Sequence, residues 1–152
     1  MSIEEGLKKN GYHASTTSGY SMYPLLRDRR DNIVVRPCSG RLKKYDVPLY
    51  KRGNEYVLHR IIKVLPDGYV ICGDNCINKE YNIKDENILG VLTEVYRNNK
   101  KINMDGLPYK IYVRMCRFFY PLRVAYKKTL CLLSSVKHKL FKKGNPTYGR
   151  NP

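Results

Sequence analysis

The chain has 152 residues, enough for one domain of ordinary size with its own core. Its 29 Lys and Arg against 13 Asp and Glu leave a formal charge of +16, which predicts attraction to something anionic: phospholipid, nucleic acid or an acidic polypeptide. Five cysteines, at 38, 72, 76, 116 and 131, make no Cys-x-x-Cys pair and leave one over, which argues against a disulfide framework and for a reducing compartment.

The opening Met1-Ser2-Ile3-Glu4-Glu5-Gly6 carries acids and no apolar run, so neither a secretory signal nor a membrane anchor is expected. Residues 3 to 9 read as a short helix closed by Asn10-Gly11. A strand then leads through Ser15, Thr16 and Thr17 toward Ser21. At 31 to 35, 46 to 50, 56 to 64, 68 to 72 and 88 to 96, β-branched and aromatic runs alternate with Gly, Pro, Asp and Asn clusters, which predicts a mostly antiparallel β body over 1–108. Pro66-Asp67-Gly68 has turn chemistry and predicts a hairpin between the strand after His59 and the strand that ends at Gly73-Asp74.

Composition changes after residue 108. From Tyr109 to Pro152 there is no acid, while Lys and Arg punctuate apolar residues at three- and four-residue spacing. This predicts a basic amphipathic helical extension over 109–143, broken near Pro121. It either lies on an anionic membrane surface or packs on the β body with a solvated basic face. Residues 144–152, rich in Gly, Asn and Pro, are expected to be disordered. No stretch approaches the roughly 18 uninterrupted apolar residues of a spanning helix, so a cytoplasmic protein, or one peripheral on the cytoplasmic membrane face, is expected.

Ser21-Met22 is followed 38 residues after the serine by His59-Arg60, and then by Gly73-Asp74-Asn75. Serine alone is a poor nucleophile at neutral pH, so a hydroxyl, an imidazole and a carboxylate are the parts needed to activate it. His59 is the expected general base, because an imidazole with a reference pKa near 6.5 is partly neutral at physiological pH. Lys63, four residues further along a strand, lies roughly 13 Å away, too far to serve the same serine. Asp74 is the first choice for the carboxylate that orients the ring; the alternative is an Asx-turn that closes the strand. Gly19 lets the backbone bend ahead of Ser21. The Ser21 amide and the Ser18 hydroxyl are the candidate oxyanion donors. Cys72, Cys76 and His59 lack a recognised ligand spacing, and no phosphate or dinucleotide loop is present, so no metal or cofactor is expected.

These residues fall in a series of blocks: Ser18-Gly19-Tyr20-Ser21-Met22-Tyr23-Pro24-Leu25-Leu26, Asp31-Asn32-Ile33-Val34-Val35, Tyr45-Asp46-Val47-Pro48-Leu49-Tyr50, Tyr56-Val57-Leu58-His59-Arg60-Ile61-Ile62 and Val70-Ile71-Cys72-Gly73-Asp74-Asn75. In that order they resemble the signal-peptidase and LexA-like serine peptidase superfamily over residues 12 to 96. The base position before Arg60 is His59, which resembles the histidine-base branch of archaeal and endoplasmic-reticulum signal peptidases. The resemblance implies a serine endopeptidase that cleaves an extended peptide or leader sequence, with small residues before the scissile bond, and it implies scaffold roles for Asp31 and Asp46. It also offers Glu80, six residues after Asp74, as the third member. A plain Ser21/His59 dyad stays open.

Two rival readings come from other classes. One is a LexA-like self-cleaving regulator that uses its basic tail on nucleic acid, although no helix-turn-helix segment precedes the catalytic blocks, which sets nucleic acid behind a peptide substrate as partner. The other is an inactive adaptor that keeps the same fold.

Overall fold

A computed structural model describes residues 2–143; the tail at 144–152 lies outside the described residues. Among the described residues, those up to Cys116 form one compact unit and those from Arg117 on form another. The first begins with α1 (Ile3–Asn10), which Ser2 and Glu5 cap reciprocally and which ends where Gly11 turns left-handed and returns its amide to the Leu7 carbonyl. Strands β1 (His13–Thr16), β2 (Asp31–Arg36), β3 (Pro48–Arg52), β4 (Glu55–Leu58), β5 (Arg60–Leu65), β6 (Gly68–Cys72), β7 (Glu80–Ile83), β8 (Ile88–Arg97) and β9 (Lys100–Lys101) follow.

The body is mostly antiparallel β, with a curled half-barrel sheet. That sheet runs β1-β2-β8-β3-β4, with β9 paired to β8, and a second sheet runs β5-β6-β7. Alternation builds the larger sheet: Asp31, Ile33 and Val35 of β2 are buried while Asn32 and Arg36 face out. Ile33, Val35, Leu49, Leu92 and Val95 form a core with Leu7 of α1 and with Met22, Leu25 and Leu26 of the serine loop. A second cluster joins Leu42, Tyr50, Ile61, Tyr69 and Ile71, and every residue of β6 is buried.

Two strand expectations are modified. The run at 56 to 64 is not one strand: it breaks at His59, so β4 pairs with β3 in the larger sheet while β5 pairs with β6 in the smaller. The backbone of Ile61 leaves the first ladder to bond Asp46 and Tyr45 instead, at 2.9 Å each. The strand expected from 46 begins at Pro48, because Asp46 is held in a turn by the Lys43 amide on its carboxylate. The hairpin at Pro66-Asp67-Gly68 does form, with Leu65 opposite Gly68.

Helix α2 (Leu107–Phe118) starts in the first unit, where Val113 is buried and Tyr109 and Tyr112 pack against the core, so that unit extends beyond 108. Helix α3 (Tyr120–Lys143) begins one residue before Pro121, a position where the missing N–H costs nothing. Among the described residues no helix is long and apolar enough to cross a membrane.

Candidate active site

Ser21 sits in the loop between β1 and β2, and that loop is closed at its base. Thr17 donates its amide to the Asp31 carbonyl at 2.9 Å and its hydroxyl to the Arg27 carbonyl at 2.7 Å, and its own carbonyl accepts from the Arg29 amide at 2.8 Å. Gly19 adopts a φ of 90°, which favours glycine, and its amide donates to Asp28 at 2.7 Å. Asp31, fully buried, accepts from Arg97 at 2.7 Å and from the Arg27 amide at 3.0 Å. Burial works against its charge, but these bonds hold the carboxyl below its ordinary range. Asp31 is therefore a clamp at the foot of the serine loop, as scaffold acids are.

The Gly73-Asp74-Asn75 turn grips the other side of the loop. The Asn75 amide donates to the Ser21 carbonyl at 2.8 Å, the Asn75 side chain donates to the Tyr20 carbonyl at 3.1 Å, and the Asp74 amide meets the buried Met22 sulfur at 3.5 Å. Gly73 is required for this approach. A Cβ there would lie 2.6 Å from the Ser21 carbonyl oxygen, 2.7 Å from Cys76 Sγ and 3.0 Å from His59 Cδ2, the ring carbon bonded to Nε2. Ser21 and the Nε2 side of His59 thus flank the same glycine. Both line one cleft of about 840 Å³ with Ser18, Gly19 and Cys76.

His59 stands at the break between β4 and β5 with 6% of its surface exposed. Its Nδ1 lies 3.0 Å from Glu80 Oε1 and 3.2 Å from the Tyr50 hydroxyl. Tyr50, fully buried on β3, donates to the same Glu80 oxygen at 2.8 Å, and Arg52, two residues along that strand, reaches it at 3.3 Å. A carboxylate only accepts, so Nδ1 carries the proton and Nε2 keeps a free lone pair. Burial lowers the His59 pKa, and the Glu80 charge opposes that only in part, so the ring is neutral at physiological pH. Burial and Glu80 together push the Tyr50 hydroxyl up, which keeps it a donor.

Asp74 does not orient the imidazole. Both of its oxygens are engaged by the Arg60 guanidinium, at 2.8 and 2.7 Å, and Tyr112 donates to one of them at 2.9 Å. The reason is a buried charge: Arg60 is fully buried, and Asp74 takes its Nε and Nη2 as a bidentate partner while the Tyr45 carbonyl and the Tyr109 hydroxyl take Nη1. Burial opposes the Arg60 charge, yet Asp74 more than restores it. Glu80, the alternative third member, is the carboxylate that meets the ring. Ser18 is exposed on the cleft. The Ser21 hydroxyl makes no hydrogen bond among the described residues.

Tyr50 and Arg52 escaped the sequence reading, although their i, i+2 spacing on a strand puts both on one face. Among the described residues no group of three His, Cys, Asp or Glu side chains is placed to hold a metal ion. No protein-family model and no curated protein matches the chain.

Proposed function

We propose that the chain is a serine endopeptidase of signal-peptidase type, related to the histidine-base branch of the signal-peptidase and LexA-like superfamily. The observation that carries this reading is that the Ser21 main chain and the Nε2 edge of His59 approach the same glycine, Gly73, on one cleft, with Nδ1 of the ring held by Glu80. Ser21 Oγ attacks a peptide carbonyl while His59 Nε2 takes its proton. His59 returns that proton to the leaving amine, and the acyl-enzyme is then hydrolysed by water that the same ring deprotonates. The Ser21 amide and the Ser18 hydroxyl are the oxyanion donors of this scheme.

The substrate is an extended peptide. The cleft is lined from β1 by His13, Ser15 and Thr16 and from β4 by Tyr56, Val57 and Leu58, and these two strands are the edges of the larger sheet. Edge strands carry backbone groups ready to pair with an added strand. Met22, Leu26 and Leu49 supply apolar walls around it. A leader or precursor peptide on the cytoplasmic side suits a chain whose five cysteines include no Cys-x-x-Cys pair.

The test is labelling by a fluorophosphonate, which phosphonylates an activated serine with loss of fluoride. Labelling of the wild type that disappears in Ser21→Ala and His59→Ala, with both variants folded by circular dichroism, supports the enzyme. A wild type that stays unlabelled while folded defeats it in favour of an inactive adaptor.

A further inference from the structure

Helix α2 presents two faces of opposite chemistry. On the inward face the Tyr109 hydroxyl accepts from Arg60 at 2.9 Å, the Tyr112 hydroxyl donates to Asp74 at 2.9 Å, and Val113 is buried. The outward face repeats Leu107, Ile111, Met115 and Phe118 at helical spacing, exposed by 67%, 46%, 52% and 76%. Helix α3, taken by itself, carries a like series of exposed Leu122, Tyr126, Leu130 and Leu133. Apolar stripes of this length on a basic helix mark a docking surface. The charge beside them has one sign: Lys110, Arg114 and Arg117 on α2, Arg123 and Lys128 on α3, with no Asp or Glu after Asp105.

We propose that the outward stripe of α2, and the matching stripe of α3, dock on an anionic phospholipid surface, each helix lying in the interface plane. Two features must be met at once. Nucleic acid would neutralise the cations but offers no apolar layer for Met115 and Phe118. A second copy would cover the apolar stripe but brings +16 against +16. An anionic bilayer meets both, taking the side chains at its acyl boundary and the cations among its headgroups. Because Tyr109 and Tyr112 on the opposite face hold the Arg60–Asp74 pair, the docked helix is tied directly to the residue after His59.

The experiment is co-sedimentation of the full chain, carrying Ser21→Ala to keep binding apart from catalysis, with vesicles of phosphatidylcholine alone and of phosphatidylcholine mixed with phosphatidylglycerol. Binding to the mixed vesicles only is expected, weakened as salt rises from about 0.1 M to about 1 M. The exposed pair Ile111→Ser/Met115→Ser should cut the partition coefficient at least about tenfold, while Arg114→Gln/Arg117→Gln should flatten the salt dependence. Failure to sediment with the mixed vesicles, equal binding to neutral ones, or tighter binding to duplex DNA would overturn the proposal. So would a dimer in sedimentation velocity that Ile111→Ser/Met115→Ser abolishes.

Discussion

Glu80 Oε1 lies 3.0 Å from His59 Nδ1 and accepts from the Tyr50 hydroxyl at 2.8 Å, so one carboxylate oxygen fixes both the tautomer of the ring and the rotation of the phenol. An amide in its place can turn a donor toward Nδ1. Glu80→Gln is expected to lower the rate of serine acylation by about 10²–10⁴ and to move the proton to Nε2, which ¹⁵N chemical shifts of the ring report. Asp74→Asn should leave those shifts unchanged. An Nδ1-protonated ring in Glu80→Gln would remove Glu80 from the mechanism.

Tyr50 touches the ring and its carboxylate but not the serine, so it is a positioning residue. Tyr50→Phe keeps the packing and loses two hydrogen bonds. Acylation should slow by about tenfold and stability should fall by about 1 kcal/mol, read by urea unfolding. Unchanged acylation at the same loss of stability would reduce Tyr50 to a packing role.

The His59 pKa is lowered by burial, with Glu80 opposing, Arg52 adding to the fall and Asp74 opposing weakly. A lowered folded pKa means that the native ring binds protons later than the unfolded one. Its contribution to stability is therefore present above the unfolded value of about 6.5 and is lost as pH falls through the folded value. The acid limb of the acylation rate should share that depressed midpoint. A ring titration by NMR with a midpoint above about 6.5 would contradict it.

The Arg60–Asp74 pair is dry on both sides, at 0% and 2% exposure. Removing one partner strands the other, so Arg60→Met or Asp74→Asn is expected to cost about 3–5 kcal/mol in chemical denaturation. The double variant Arg60→Met/Asp74→Leu should recover much of that loss. Additive losses would show that the two side chains do not act as a pair.

Gly73→Ala puts a methyl where the Ser21 carbonyl, the Cys76 sulfur and the His59 ring already meet. It should separate nucleophile from base, so that acylation falls further than the change in stability accounts for. Retention of acylation in a folded Gly73→Ala protein would mean that the two groups do not need this approach.

Much of the β body was legible because Val, Ile and Tyr runs are punctuated by Gly, Pro and Asn, and period-two burial follows from that pattern in β2. The short polar β7, Glu-Tyr-Asn-Ile, carries no such signal; pairing to β6 makes it a strand. His59 hid the change of sheet, since a β-branched run reads the same whether or not its partners switch. At the site, Ser21 and His59 could be singled out by type and spacing. Which carboxylate meets the ring could not, because both Asp74 and Glu80 are near in sequence, and only the buried guanidinium of Arg60 decides that Asp74 is occupied.

Strand β7 is four residues long and pairs on one side only, with β6. The acid that holds the imidazole Nδ1 is therefore carried by an element that can fray while Tyr50, Ile61 and Ile71 stay packed. Fraying would withdraw the carboxylate from the ring and leave the interior otherwise intact. Amide exchange at Tyr81 and Asn82 measures how often the molecule is in that frayed form.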